Sequence, residues 1–532
     1  MKRPVARRVA LVLLCAALVT PAAAQGPKAG GVVNLTLRED LPQGFSIHET
    51  STISSVWPAM PCLSNLVIFD PLKKTESQDT VIGELAEKWS WQDNYRNLVF
   101  FLRHDVKWHD GQPFTSKDVK YTFDMLREVP GAAKLRINPR KDWYANVDAV
   151  EAPDPHTVVF RLKRPQPSLL LMLASGYSPI YAAHVPVATY RTGCVGTGPF
   201  KLKEWRRGEF VEFVRNPDYF VKGRPYLDGL KYFVIVERGT RVAALQAGKV
   251  DAGFPGEGTK TIAEQLKAAV PQLVVQIANQ NVNDNIIMNT KKPPFDNLKV
   301  RLAVSHAIDR RALVSAVHQG GALVGAAMAP KPYGVWGLLE KDLDALPGYG
   351  KPAGEKAQAR KLLAEAGFTP DKPLRVEVST RAIAIYVDMA SFVINELKQV
   401  GIEATLRQIE TAQWHATATR GDYQMGANLT GIGPDDPDAN FYENFACGSP
   451  RNYSFYCNEQ VMQMVNQQSQ ELDPKKRLLQ VQEIQKKLEQ EAARPLLSWR
   501  LDYFVTWPHV KNLVPHQSIY NWGRMQEVWL DK

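Results

Sequence analysis

Apolar and polar positions along this chain follow two rhythms. Leu98 to Leu102 and Val158 to Leu162 are short apolar runs, and Lys231 to Glu237 reads the same way; all three predict strands. Turn signals separate them: Asp110-Gly111, Pro153-Asp154-Pro155 and Asn216-Pro217-Asp218. In the second half the period lengthens. Val300, Ala303, Val304, Ala307 and Ile308 form a helical stripe that Asp296 can cap, and Asp309 can cap the next helix, which carries Leu313, Val314 and Val317. Leu374, Val376 and Val378 alternate as a strand. Ile385, Met389, Phe392, Val393 and Leu397 form a helix stopping at Gly401, and Ile402, Ala404 and Leu406 form the next strand. Strand, helix, strand in that order predicts a right-handed parallel crossover. Asp473-Pro474 opens a last helix with Leu478, Val481, Ile484 and Leu488 inward. The fold class is α/β with mixed sheets.

The N-terminus breaks this pattern. Lys2, Arg3, Arg7 and Arg8 precede an apolar stretch, Val9 to Val19, too short to span a bilayer. Ala22-Ala23-Ala24 then fits signal-peptide cleavage, so residues 1–24 are expected to be removed and the protein exported to the periplasm. Cys15 follows Leu14, whereas a lipid-attachment signal wants a small residue there. No later apolar run reaches the roughly 20 residues of a span. A length of 532 residues exceeds one hydrophobic core, so two or three lobes are expected. The net charge of +10 is spread along the chain rather than gathered in a stripe, which argues against nucleic acid as a partner.

Beyond Cys15 there are four cysteines, an even number that suits disulfides in an oxidising compartment. Cys447 with Cys457 is the simplest pairing and leaves Cys62 to Cys194; buried free thiols are the alternative. No two cysteines form a CxxC, so no zinc knuckle is indicated.

The catalytic patterns GxSxG, HExxH, GxxxxGK[ST] and GxGxxG are all missing. Gly196-Thr197-Gly198-Pro199 lacks the lysine of a phosphate cradle, and Pro199 lacks an N–H. His104 and His109 beside Asp105 and Asp110 read as a polar hairpin before a metal site. Asp435, Asp436 and Asp438 are too few for a calcium loop. No metal or cofactor is expected. The chain has 12 Trp, 18 Tyr and 20 Phe, enough to fill cores and also line a large cleft.

Several strings then converge. Trp108-His109-Asp110-Gly111 with Pro113-Phe114-Thr115 and Asp118-Val119 resembles the WHDG-x-PFT-x-x-DV string of the extracellular solute-binding proteins of the dipeptide, oligopeptide and nickel branch. Ile82-Gly83-Glu84-Leu85-Ala86 with Trp89, and Gly196-Thr197-Gly198-Pro199-Phe200, are similar to two more of its strings. So are Asn216-Pro217-Asp218-Tyr219 with Pro225-Tyr226-Leu227-Asp228, Ala244-Leu245-Gln246-Ala247-Gly248 with Asp251, and Pro294-Phe295-Asp296 with Val300-Arg301 and Ala307-Ile308-Asp309.

The resemblance implies a periplasmic binding protein type II-like fold: two large lobes, a small inserted domain and a hinge between the lobes. It places domain I at 25–65, 191–285 and 501–532, the inserted domain II at 66–190, and the ligand-closing domain III at 286–500. It implies a monomer that closes on a peptide, opine or related solute and delivers it to the membrane permease of an ABC transporter. A secreted hydrolase using Asp435, Asp436 or His109, and a loaded partner of a chemosensory receptor, are the alternatives.

Expected ligand contacts follow. Gly44 and Phe45 lie in the first loop, where relatives present backbone to the ligand. Tyr333 and Trp336 could stack on an apolar group. Arg381 and Tyr386, at a helix start, suit a carboxylate or phosphate. Asn283 and Asn285 belong to an expected hinge strand, Trp499 lies near the return strand, and Thr430 and Asp435 follow Gly421-Asp422. Dipeptide-binding members hold the ligand ammonium with a Trp and an Asp in that last segment. Here Thr430 and Gly433 stand at those positions, which counts against a simple free-amine dipeptide. Asp438 stands where nickel-binding members carry a His. The Cys447/Cys457 pair resembles the loop disulfide of dipeptide-binding relatives.

Overall fold

The computed structural model describes residues 26–532; the signal-like segment and Cys15 lie outside the described residues. Three sheets carry the fold. One orders Val32–Leu37, Gly229–Val234, Phe210–Arg215 and Phe200–Arg206, with only the first pair parallel. A second, antiparallel throughout, orders Ala86–Gln92, Asn97–Leu102, Thr157–Leu162 and Val147–Asp154, all from the segment expected to be inserted. The third has six strands: Ala322–Leu323, Leu496–Thr506, Val274–Met288, Met425–Gly431, Leu374–Arg381 and Ile402–Ile409.

The expected crossover is there. Leu374–Arg381 pairs in parallel with Ile402–Ile409, and the helix Ala384–Lys398 joins them. Val378, Met389, Val393 and Leu397 pack with Val300, Val304 and Ile308 in one core. Two expectations shift by a residue or more. Asn297, not Asp296, caps Leu298–Ala307, because its side chain accepts from the Lys299 N–H. The strand ends at Val234, since Glu237 caps the following helix through the Thr240 N–H. Asp309 caps Arg310–Ala316 as expected, accepting from Ala312. In the last helix Val481, Ile484 and Leu488 are buried and Leu478 is half-buried.

Val274–Met288 and Leu496–Thr506 are long strands that run antiparallel through both lobes. Their ladder is interrupted between Asn279 and Asn283, where Asn281 takes φ 50°. Asn tolerates that left-handed backbone better than most residues. The expected domain boundaries at 285 and 500 fall inside these two strands. An interrupted two-strand crossing is a natural place for a hinge, because only a few backbone bonds must change.

The strings that carried the resemblance are structural joints. A Cβ added to Gly196 would lie 1.7 Å from the Cys62 carbonyl oxygen, so this turn requires glycine. The His109 N–H donates to the Gly196 carbonyl at 2.8 Å, and the Asn216 side chain donates to the Gly198 carbonyl at 3.0 Å. Disulfides join Cys62 to Cys194 and Cys447 to Cys457.

Candidate ligand-binding cleft

Where the hinge sheet faces the other lobe, its side chains become amides and hydroxyls. Asn283 pairs with Thr430 and Asn285 with Asn428 across adjacent strands. The Asn285 amide donates to Asn283 Oδ1 at 2.8 Å and to Thr430 Oγ1 at 2.9 Å, and Asn428 donates to the same hydroxyl at 3.0 Å. These residues are buried. An apolar fold gains nothing from such a cluster unless its groups are bonded, and polar floors of this kind orient polar solutes.

At one end of this floor the lobes are tied by an ion pair. Arg381 leaves the end of its strand and donates to Tyr386 Oη at 2.8 Å, to Thr411 Oγ1 at 2.8 Å and to Glu39 Oε1 at 3.0 Å. Glu39 follows the first strand of the other lobe and also accepts from Ser54 and Thr411, each at 2.6 Å. Burial pushes the Glu39 carboxyl up, but Arg381 and Arg38 outweigh it and hold it below its ordinary range. Arg38 pairs with Glu257 at 3.1 Å. Arg500, from the hinge strand, lies among Asp284, Glu257, Tyr386 and Asp502.

The other end holds Arg140, Arg451 and Arg494. Glu443 accepts from Arg451 at 3.0 Å and lies 3.8 Å from Arg140, whose guanidinium sits 3.3 Å over the Tyr177 ring. Tyr177 stacks on Tyr520 at 4.9 Å. His415 is held neutral: burial drives its pKa well down, and Arg381, Arg451 and Arg140 add to the effect.

Among the expected residues, Asn283, Asn285 and Thr430 bond to one another and Arg381 bonds to Tyr386, and all five are buried. The other expected residues have surroundings of their own. Gly44 packs on the Arg191 backbone, and Phe45 is a core aromatic against Trp205 and Phe213. Trp499 stands opposite Asn283 on the adjoining strand, is fully buried and donates to the Ala326 carbonyl at 2.8 Å. Trp336 and Asp435 line a separate groove with Glu76 and Arg477, and the Tyr333 carbonyl accepts from Gln517 nearby. Position 433 is filled from the inserted domain: a Cβ there would lie 2.8 Å from both the Trp143 ring and Ser175 Oγ. Asp438 turns away from the cleft and accepts from Gln166 and Ser469.

His104 lies against His156 with the rings tilted, and His109 bonds the Gly198 carbonyl, so these two histidines do not converge. Among the described residues the one metal-like grouping is Cys447, Cys457 and Glu459, and its two sulfurs are in a disulfide. Glu39, Arg140, Glu443, Arg451, Arg494 and Arg500 were not singled out from sequence. Arg500 carried a readable signal, one of two charges, with Asp502, in a largely apolar strand run.

Replacing Arg381 with Ala is expected to weaken binding of an acidic solute by roughly tenfold or more, the worth of a charged hydrogen bond. Calorimetric titration checks this, and an unchanged affinity would remove Arg381 from the site.

Two lobes joined by a pair of crossing strands, with a polar floor and paired charges between them, define a clamp-type solute-binding protein. Residues 80–452 match the family described as bacterial extracellular solute-binding proteins, family 5 Middle. The chain belongs to that family. Brucella relatives, named for ABC-transporter peptide binding, are 29% identical over 363 residues; the match covers 66% of this chain and 64% of theirs, a little under two thirds of their length. The glutathione-binding protein GsiB of Salmonella typhi is 28% identical, with 71% of this chain and 72% of that one covered. Among solved structures, AgaA of A. tumefaciens R10 in complex with agropinic acid has a TM-score of 0.80 at 22% identity, covering 94% of this chain and 99% of that one. Helicobacter pylori DppA in complex with the peptide STSA has a TM-score of 0.81 at 22% identity, covering 95% of this chain and 99% of that one. Among the described residues no helix is long and apolar enough to cross a membrane.

Proposed function

We propose that this protein is the periplasmic solute-capturing component of an ABC importer. It closes its lobes over a peptide-like or opine-like molecule and presents the closed state to a membrane permease. Residues 1–24 act as a cleaved export signal, and the protein works as a monomer. The domain limits given above describe its working parts, with the two crossing strands shared between lobes. No covalent step belongs to this reading. The observation that carries it is the Arg381–Glu39 pair, made between lobes above a buried polar floor. A solute that contacts both lobes shifts the open–closed equilibrium by its differential affinity for the closed state. The names of relatives, for peptides and glutathione, support a peptide-like solute, and the agropinic acid complex of AgaA supports an opine-like one.

Native mass spectrometry of the purified protein should show a retained solute of roughly a few hundred daltons, the size such clefts enclose. Solution scattering should then show the radius of gyration rising once the solute is stripped by unfolding and refolding. A radius unaffected by solute removal and return would defeat the clamp reading.

A further inference from the structure

The helix Thr411–Arg420 turns one face to the segment that follows the first strand, because its first residue, Thr411, donates to Glu39 at 2.6 Å. His415 stands one turn further along the same face and is 9% exposed. Contacts bound its surroundings. Arg140 donates through both Nη atoms to the Thr50 carbonyl, at 2.9 and 2.8 Å, and Arg381 reaches the Thr52 hydroxyl at 3.5 Å. Thr50 and Thr52 are at most ~7 Å apart along the chain. Arg451 is joined to His415 through the Tyr453 hydroxyl. Arg381, Arg451 and Arg140 are all close enough for their charges to act on the imidazole.

Tyr453 fixes where the imidazole carries its proton. Its hydroxyl accepts from Arg451 Nη1 at 3.0 Å, lies 2.9 Å from His415 Nδ1 and has no further partner among the described residues. The hydroxyl proton therefore goes to Nδ1. His415 is neutral, so its own proton sits on Nε2. Nε2 is buried and bonds nothing among the described residues. A buried N–H of this kind is costly until an acceptor meets it.

The charges around this N–H say what kind of acceptor suits it. Beyond the Arg381–Glu39 pair, Arg140 and Arg451 share one carboxylate, Glu443, at 3.8 and 3.0 Å. Arg494 donates to the Arg451 carbonyl at 2.9 Å and otherwise to neutral oxygens. Asp142 lies near Glu443, but among the described residues none of these three guanidinium groups bonds it, and burial raises its carboxyl above the ordinary range. A carbonyl would satisfy Nε2–H alone. An anion would also offset the surplus positive charge, and a charged partner is about twice as strong. We propose that the solute presents an anionic oxygen group, carboxylate or phosphate, to His415 Nε2–H beside Arg140 and Arg451. This rests on the solute-capture reading and narrows it to acidic solutes, with the neutral histidine acting as a donor.

The test uses the whole mature protein, stripped of retained solute, and calorimetric titration with three probe pairs. Each pair sets one acidic group against a neutral counterpart: Ala-Ala and its C-terminal amide, Ala-Glu-amide and Ala-Gln-amide, Ala-phosphoserine-amide and Ala-Ser-amide. In at least one pair the acid should bind roughly tenfold or more tighter. The first two pairs report carboxylate and the third phosphate. His415→Phe, which keeps a ring but no donor, should remove most of that preference. Proton–nitrogen NMR of the unaltered protein should show the Nε2–H form of His415 before titration and a shift of that signal when the acid binds, a readout that stands even where the variant folds poorly. Where no probe binds, the retained solute is titrated back and read in the same way. The inference is overturned, while solute capture stands, if the neutral members bind as tightly as the acids, if an acidic ligand leaves the His415 signal unmoved, or if the retained solute has no acidic group. If no probe binds and the purified protein retains nothing, both fall.

Discussion

Replacing Asp438 with Ala is expected to cost about 3–5 kcal/mol of stability, the usual loss when a buried, multiply bonded charge is removed. One carboxylate oxygen accepts from Gln166, Ser168 and Ser469, the other from Gln468 and, at 3.3 Å, Arg477. Gln166 and Ser168 follow the strand Thr157–Leu162, and Gln468, Ser469 and Arg477 come much later in the chain, so the substitution also loosens the contact between these distant segments. The side chain is fully buried. Denaturant unfolding with Asp438→Asn as a partial rescue checks this. A midpoint shift worth less than about 1 kcal/mol would mean that these bonds contribute little.

The second large effect is a pH dependence. Burial raises the Asp435 carboxyl from its ordinary range to about 7; the Val335 N–H opposes this and the neighbouring Asp436 charge adds to it. One Asp435 oxygen accepts from Val335 at 3.2 Å, while the other is buried without a partner. Glu76, across the same groove, is raised mainly by burial and further by Asp435. A carboxyl with a folded pKa above its unfolded value favours the protonated fold. Its contribution is complete below about pH 4, declines as pH rises towards 7, and is gone above that. At one pKa unit per 1.36 kcal/mol, the decline is roughly 4 kcal/mol at most. Asp435→Asn should therefore flatten the stability curve between pH 4 and 7 and stabilise the protein at pH 8. Asp502 and Glu489 titrate in the same sense and remain in the variant, so some slope persists. Identical slopes for both proteins would contradict the assignment.

Much of the scaffold was legible in the sequence because it depends on period and on glycine. The Val300 to Ile308 stripe, the Asp309 cap and the 374–406 crossover need only local rules. The cap at Asn297 was misread by one place because Asp296 and Asn297 are adjacent and equally able. The cleft was less legible. Arg381, Tyr386, Asn283, Asn285 and Thr430 could be proposed from helix starts and strand positions. Their neighbours Glu39, Arg140 and Arg451 come from loops hundreds of residues apart, where no periodicity operates. A first-loop aromatic such as Phe45 reads alike in sequence whether it faces a cleft or packs, as here, on Trp205. The strings that identify the family fix joints such as Gly196 on Cys62, which is why they say little about the solute.

The Cys62–Cys194 link bridges a separation of 132 residues, bracketing the whole four-stranded inserted sheet. Under tension applied at the two ends of the molecule, that stretch is bypassed: force passes through the sulfur atoms. Roughly 45 nm of potential contour length stays stored until a reductant frees it, so an oxidised molecule pulled taut should extend far less than a reduced one.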